Sequence, residues 1–221
     1  MLNRLHSQRR VRLIAVLTMA AFLSAGFATG AERPLHVRLA GLRVMHFHAG
    51  VNNVPNFAGD GRTAQIIEGW RDNGNAHSYN LYVVLLPSRP GRADWNVVGV
   101  DGSDHFEDTV ADAPHTGEDV VRSVVFAKGL LDGRRATLLL TATRKWQESI
   151  PDPATTEIQA YVLRQNTEGV GETRDYFEPV GSYLTETKYC HAEKALNAEF
   201  GISLSPGYAG GDTRTGCFER H

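Results

Sequence analysis

The chain has 221 residues, 23 basic and 25 acidic, and 42% of it is hydrophobic, enough for a folded core of ordinary size. Its net charge of −2 lacks the clustered Lys and Arg that nucleic acid requires, and it carries no polybasic tail for anionic lipid. Cys190 and Cys217 are the only cysteines.

The N terminus sets the location. Arg4, Arg9, Arg10 and Arg12 precede an uncharged apolar run, residues 13–27, followed by the small residues Ala28-Thr29-Gly30-Ala31. Positive, apolar, then small is the order of a secretory signal peptide, and about 15 apolar residues fall short of the roughly 20 a membrane-spanning helix needs. Residues 1–31 are therefore predicted to be a signal peptide cut after Ala31. Residues 32–221 are predicted to be a single exported domain, periplasmic or secreted. No later segment is long and apolar enough to span a membrane, so the mature form is expected not to cross one. The four leader arginines leave on cleavage, so 23 basic residues become 19 against 25 acidic, a net charge of −6. In an oxidising compartment an even cysteine count predicts a Cys190–Cys217 disulfide that tethers the Gly-rich C-terminal tail.

Most of the remaining apolar signal has the period of β-structure. Leu35, Val37 and Leu39 share a face in residues 35–48 until Gly41 breaks the register. Strands are predicted over 63–71, 78–86 (stopped by Pro87) and 95–100. DVVRSVVFA at 119–127 and RATLLLTATR at 135–144 flank a turn whose Asp132-Gly133 predicts a hairpin. Residues 155–165 alternate, and 175–185 read as an edge strand around Pro179. One helix follows, with Tyr189, Ala192, Leu196 and Phe200 at helical spacing, Thr187 as N-cap and Gly201 as the C-terminal residue. The predicted fold is mostly β, an antiparallel sandwich or partly open barrel with one C-terminal α-helix.

The chemistry-bearing residues give weaker signals. His46 and His48 are two apart, so in a strand their imidazoles share a face, and with His77 as third ligand they could hold a divalent metal such as Zn or Cu. Surface or hydrogen-bonded histidines give the same pattern. Residues 101–119 hold seven acids with His105 and His115, and residues 56–61 form a second oxygen-rich loop. Neither has the spacing of a calcium-binding loop, and solvated turns account for both. Gly-x-Ser-x-Gly, Ser-x-x-Lys, His-Glu-x-x-His and Gly-rich phosphate loops are all absent from the sequence. Residues 70–79, WRDNGNAHSY, form a strand–loop–strand corner dense in hydrogen-bonding groups. It can hold a polar ligand, or it can be ordinary turn chemistry.

At this corner GDGRTAQIIEGWRDNGNAHSYNLYVVLL resembles the carbapenem self-resistance family of the CarG type. There a strand ending in Arg leads to an Asn-Ala-His-Ser-like corner and an aromatic strand. WNVVGVDGSDHFEDT, TATRKWQESIPDPATTEIQAYVLRQN and YFEPVGSYLTETKYCHAEKALNAEFG agree in order, so the resemblance covers most of residues 50–201. It implies an exported β-rich, non-catalytic protein that protects against a β-lactam, binding a β-lactam-like ligand or an envelope protein. It points to Arg71, Asn75, His77 and Ser78 as the positions that matter. Two alternatives stand beside it: a metal-dependent periplasmic enzyme using His46, His48 and His77, and an envelope protein-interaction module without a small ligand.

Overall fold

The computed structural model describes residues 38–102, 105–114, 120–167 and 173–219. The predicted leader, residues 1–31, lies outside them. The strands are β1 (Leu39–Val44), β2 (Gly50–Val54), β3 (Ala64–Arg71), β4 (Tyr79–Pro87), β5 (Trp95–Val97) and β6 (Gly99–Asp101). They continue with β7 (Phe106–Glu107), β8 (Val110–Ala111), β9 (Arg122–Leu131), β10 (Arg134–Arg144), β11 (Thr156–Gln165) and β12 (Asp175–Leu184), and the helix is α1 (Ala192–Phe200).

Two sheets form. The long sheet has the order β1-β9-β10-β11-β12-β6-β7, and the short one β2-β3-β4-β5 with β8 added to β4. Every pairing is antiparallel except β12 with β6. The sandwich is thus the form adopted, and the sheets do not close into a barrel. Between them lie Phe57, Ile66, Val84, Leu86, Leu139 and Phe177 around Phe126. The Phe126 ring meets Phe47, Tyr82 and Phe177 edge-on at 5.6, 5.8 and 5.9 Å between centroids, the geometry that aromatic quadrupoles favour.

The helix covers the other face of the long sheet, with Ala192 and Leu196 against Val125, Leu140, Ala142, Ile158 and Ala160. This explains why β10 reads LLL rather than alternating. Leu139 points between the sheets while Leu138 and Leu140 point to the far side, and all three are fully buried. Among the described residues the outer face of the short sheet has no such cover over Val51, Ile67 and Val83, which lie in one cross-strand row. Val51, Trp95 and Val97 remain exposed there.

The β9–β10 hairpin turns at Asp132 and Gly133, both at positive φ (50° and 80°), as a two-residue turn of matching twist requires. Gly41 (φ 59°) sits at a bulge in β1, where the register against β9 shifts.

Three expectations need correction. Residues 95–100 are two strands rather than one, because the chain crosses between the sheets at buried Val98. Strand β12 is not simply an edge: β11 flanks it throughout and β6 covers Tyr176 and Phe177. Pro179 falls beyond β6 and beside a bulge, where its missing N–H removes no ladder bond. The helix begins at Ala192, not after Thr187. Residue 189 is tied to Ala154 by a pair of backbone hydrogen bonds (2.8 and 3.0 Å), and His191 is the N-cap. Gly201 ends the helix at φ 66°, as expected. Cys190 thus precedes the helix, and its disulfide to Cys217 is formed.

One buried ion pair joins the layers. Arg62, before β3, donates Nη1 and Nη2 to the two Asp175 oxygens at 2.7 and 2.8 Å, with Nε to Asp60 at 2.6 Å and Nη1 to the Pro87 carbonyl at 3.1 Å. Both members of the Arg62–Asp175 pair are almost fully buried.

Candidate functional site

The Asn-Ala-His-Ser corner closes the β3–β4 hairpin with hydrogen bonds to itself. Asp72 accepts from Gly74 N and Asn75 Oδ1 from His77 N, both at 2.8 Å, while Asn73 Nδ2 donates to the His77 carbonyl at 2.9 Å. The Ser78 hydroxyl accepts from Asn73 N (3.0 Å) and donates to the Asn75 carbonyl (3.1 Å). Arg71 Nε reaches Asn73 at 3.4 Å. Ser78 is buried, while Arg71, Asn75 and His77 are exposed. Asn, Asp and Ser here do what their short side chains do in turns, capping nearby backbone groups.

The three histidines are not gathered. Strand β1 stops at Val44, so His46 and His48 lie in the segment after it and outside any strand. His48 is turned to its own loop, with Nδ1 3.0 Å from the Ala49 carbonyl and its backbone N–H donating to Asn52. His77 belongs to the hairpin corner. Among the described residues, no group of three or more His, Cys, Asp or Glu is placed to hold a metal ion. In the 56–61 loop Asp60 is engaged by Arg62 and Asn56 Oδ1 by Gly61 N. Asp104, His115, Glu118 and Asp119 of the acidic segment lie outside the described residues.

A concavity with several convergent polar groups lies elsewhere. Along β3 and β4 the inward positions run Ile66, Glu68 and Val84, Tyr82, Asn80, with Glu68 and Tyr82 cross-strand partners. Opposite, β9 presents Phe126, Val124 and Arg122. The inner faces thus change from apolar to polar as the sandwich opens, around a cleft of about 480 Å³. Strand β8 pairs with β4 and so brings Asp112 to Asn80. The Asn80 backbone N–H donates to Asp112 Oδ1 at 2.8 Å and Nδ2 to Oδ2 at 2.7 Å, and Asp112 N returns a bond to the Asn80 carbonyl at 3.2 Å. Arg122 reinforces this wall, with Nε to the Ala111 carbonyl at 3.0 Å and Nη1 to Thr143 Oγ1 at 3.3 Å; Nη2 takes part in neither bond. His46, His191, Glu193 and Ser205 complete the rim from the segment after β1 and from the C-terminal segment.

Burial holds the protons of both cleft carboxyls more tightly than usual. Glu68 is pushed up by burial and by the nearby charge of Asp112, against the field of His48. Asp112 is pushed up by burial, against its Asn80 bonds and Arg122. Burial also raises Tyr82. Two carboxyls, a phenol and a guanidinium around one cleft offer hydrogen-bond donors and acceptors and one positive charge. Glu68 carried a sequence signal that the reading missed: it is an acid in phase with buried Ala64 and Ile66. Asp112 was hidden among seven acids, and its selection depends on the β8–β4 pairing.

At the cleft margin His191 has its proton affinity lowered to about 4 by burial and by Arg144, and neutral Nδ1 accepts the Glu193 N–H at 3.2 Å. The folded value lies below the ordinary 6.5, so the unfolded chain binds this proton first as pH falls. Stability from this residue is complete above pH 6.5 and declines toward pH 4, by roughly 3 kcal/mol. Urea unfolding across that range should show the slope, and His191→Asn, which keeps a capping acceptor, should flatten it.

Fold and cleft together define a class: an antiparallel β-sandwich with a polar mouth, roofed by a C-terminal helix and tail. The crystal structure of CarG is similar to this chain, with a TM-score of 0.55 and 14% identity over 75% of this chain and 98% of that one. At that identity the likeness is one of fold, a structural relationship that does not place the chain in a family. No family model matches the chain, and no curated protein matches it.

Proposed function

We propose that the mature chain is an exported, non-catalytic binding protein that protects its cell by engaging a β-lactam-like ligand, seated in the cleft between β3, β4 and β9. The cleft carries this reading: its volume of about 480 Å³ suits a small molecule, and its polar groups lie where a closed sandwich would be apolar. The likeness to CarG across nearly all of that chain, the residue pattern of 50–201 and the leader support it. The ligand's carboxylate faces Arg122 Nη2, and its amide and hydroxyl groups meet Glu68 and Asp112. The Arg71, Asn75, His77 and Ser78 corner acts by fixing the hairpin that presents Asn80.

Calorimetry of the exported chain with a carbapenem tests this. Arg122→Gln removes a charge-assisted bond and should weaken binding about 10- to 100-fold, while Arg71→Gln should change it little. The reverse pattern would move the seat to the corner. No binding, together with no gain in carbapenem tolerance on expression, would sink the proposal. A second reading, a protein-interaction module, draws on the uncovered apolar row Val51, Ile67, Val83. It predicts that an envelope protein is captured and that Arg122→Gln has no effect.

A further inference from the structure

Further along β9 the inner face of the long sheet becomes basic. Arg43 and Lys128 are directly opposite across β1 and β9, Lys128 is opposite Thr137, and Arg135 is opposite Leu130. A concavity of about 520 Å³ opens over them, lined by Arg43, Lys128 and Arg135 with Gly41, Gly59 and Thr137, and among the described residues no carboxylate is in its wall. Among the described residues none of the three cations has an ion pair within 4 Å. Like charges directly opposite destabilise a sheet, so the arrangement has a cost that no direct carboxylate contact offsets among the described residues. It is the more notable in a mature chain of net charge −6.

Lys128 is held in place rather than left to solvent. Its Nζ donates to the Asn56 and Phe57 carbonyls at 2.6 and 2.8 Å and lies 5.8 Å from the centre of the Phe57 ring. An ammonium has three donors, so one remains for the concavity. Asp60 is the carboxylate whose field reaches Lys128, and its Oδ2 is committed to Arg62 Nε at 2.6 Å. Gly41 and Gly59 have positive φ and open space where a Cβ would stand, so the rim is unobstructed.

We propose that this concavity binds an oxyanion of the phosphate class, with Lys128 as the fixed charge and Arg43 and Arg135 closing on the remaining oxygens. Three cations match a phosphate monoester, nearly a dianion, better than a single carboxylate, and guanidinium forks fit its oxygens in pairs. The site is separate from the cleft and does not rest on the β-lactam reading.

The test uses the chain exported by its own leader, titrated with inorganic phosphate at constant ionic strength, and in parallel mixed with phosphatidylcholine vesicles with or without phosphatidate. Phosphate should saturate one site. Arg43→Gln/Arg135→Gln should weaken it at least tenfold, whereas Arg164→Gln, whose guanidinium is paired with Glu178, and Arg122→Gln should leave it within twofold. In low-salt buffer without phosphate the double variant should unfold at an equal or higher midpoint, because a repulsion has been removed, and this shows that it folds. Sedimentation with phosphatidate-containing vesicles that the double variant loses would identify a lipid headgroup as the source; phosphate binding without sedimentation would identify a free phosphate. Equal phosphate affinity in wild type and double variant, or a response that chloride reproduces, would overturn the site.

Discussion

Asp175→Ala should lower the unfolding free energy by about 3–5 kcal/mol, because it leaves the buried guanidinium of Arg62 without its principal counter-charge. The pair is bidentate, at 2.7 and 2.8 Å, and both side chains are nearly inaccessible. Asp60 would remain beside Arg62 Nε, but it is half in solvent and on one edge of the fork. The loss should therefore be large yet short of complete unfolding. The pair ties the loop before β3 and the end of β4, through the Pro87 carbonyl, to the first residue of β12. Equilibrium urea unfolding followed by tryptophan fluorescence measures the effect. Arg62→Met/Asp175→Leu should recover most of it, since well-packed apolar replacements of a buried ion pair are often neutral. A loss under about 1.5 kcal/mol in Asp175→Ala would mean that the charge finds water or Asp60 alone is sufficient.

That ion pair is also a measure of what a linear reading can reach. Arg62 and Asp175 are 113 residues apart, and nothing in either neighbourhood marks them as partners. Local rules did reach the Asp132-Gly133 hairpin, the bulge at Gly41 and the C-terminal end of the helix at Gly201, because each depends on the φ of one or two residues. Periodicity reached most strands for the same reason: the side-chain period of a strand is a property of the strand alone. It misplaced the start of the helix, where Tyr189 falls at helical spacing by coincidence. Tyr189 is an isolated bridge partner of Ala154, and its hydroxyl reaches Glu199 of the helix at 2.9 Å.

Sites were harder, because cross-strand register makes them. Glu68, Asp112 and Arg122 lie on three different segments, and Arg43, Lys128 and Arg135 on three strands. The pairings of β3 with β4 and of β4 with β8, with the Ala113–Arg122 bridge, bring the first set together, and those of β9 with β1 and β10 the second. The Asn75-Ala76-His77-Ser78 corner, by contrast, was conspicuous because its residues are contiguous. Contiguity is what lets them bond one another: an Asn, an Asp and a Ser within a few residues of a tight turn have their nearest acceptors and donors in that turn.

Cys190→Ala/Cys217→Ala should cost about 3–4 kcal/mol, the loop-closure entropy of a bridge spanning a sequence separation of 27, and it should also disable the cleft. Among the described residues the tail's other anchors are local, the Asn197 Nδ2 bond to the Ile202 carbonyl (2.7 Å) and Lys194 over the Tyr208 ring among them. Ile202 is buried beside the helix, Ser205 donates its N–H and hydroxyl to Glu193, and the Tyr208 ring lies 4.6 Å from that of His191. Beyond these, Cys190 N donates to the Thr215 carbonyl at 3.0 Å, and the chain turns on itself through Gly211 and Gly216. These few contacts hold Ser203, Ser205, Pro206 and Gly207 as one wall of the cleft. Without the bridge the unfolded tail regains the freedom that these contacts alone must offset. Hydrogen exchange should then show residues 201–217 losing protection while β9, β10 and β11 keep theirs. Ligand affinity at Arg122 should fall, and phosphate affinity at Lys128, bordered by no tail residue, should not. Equal losses at both sites would mean that the whole sandwich had loosened. If the loss is confined to the cleft, the bridge serves the cleft wall rather than the sheets: the reduced chain would fold its sandwich and still lack that wall.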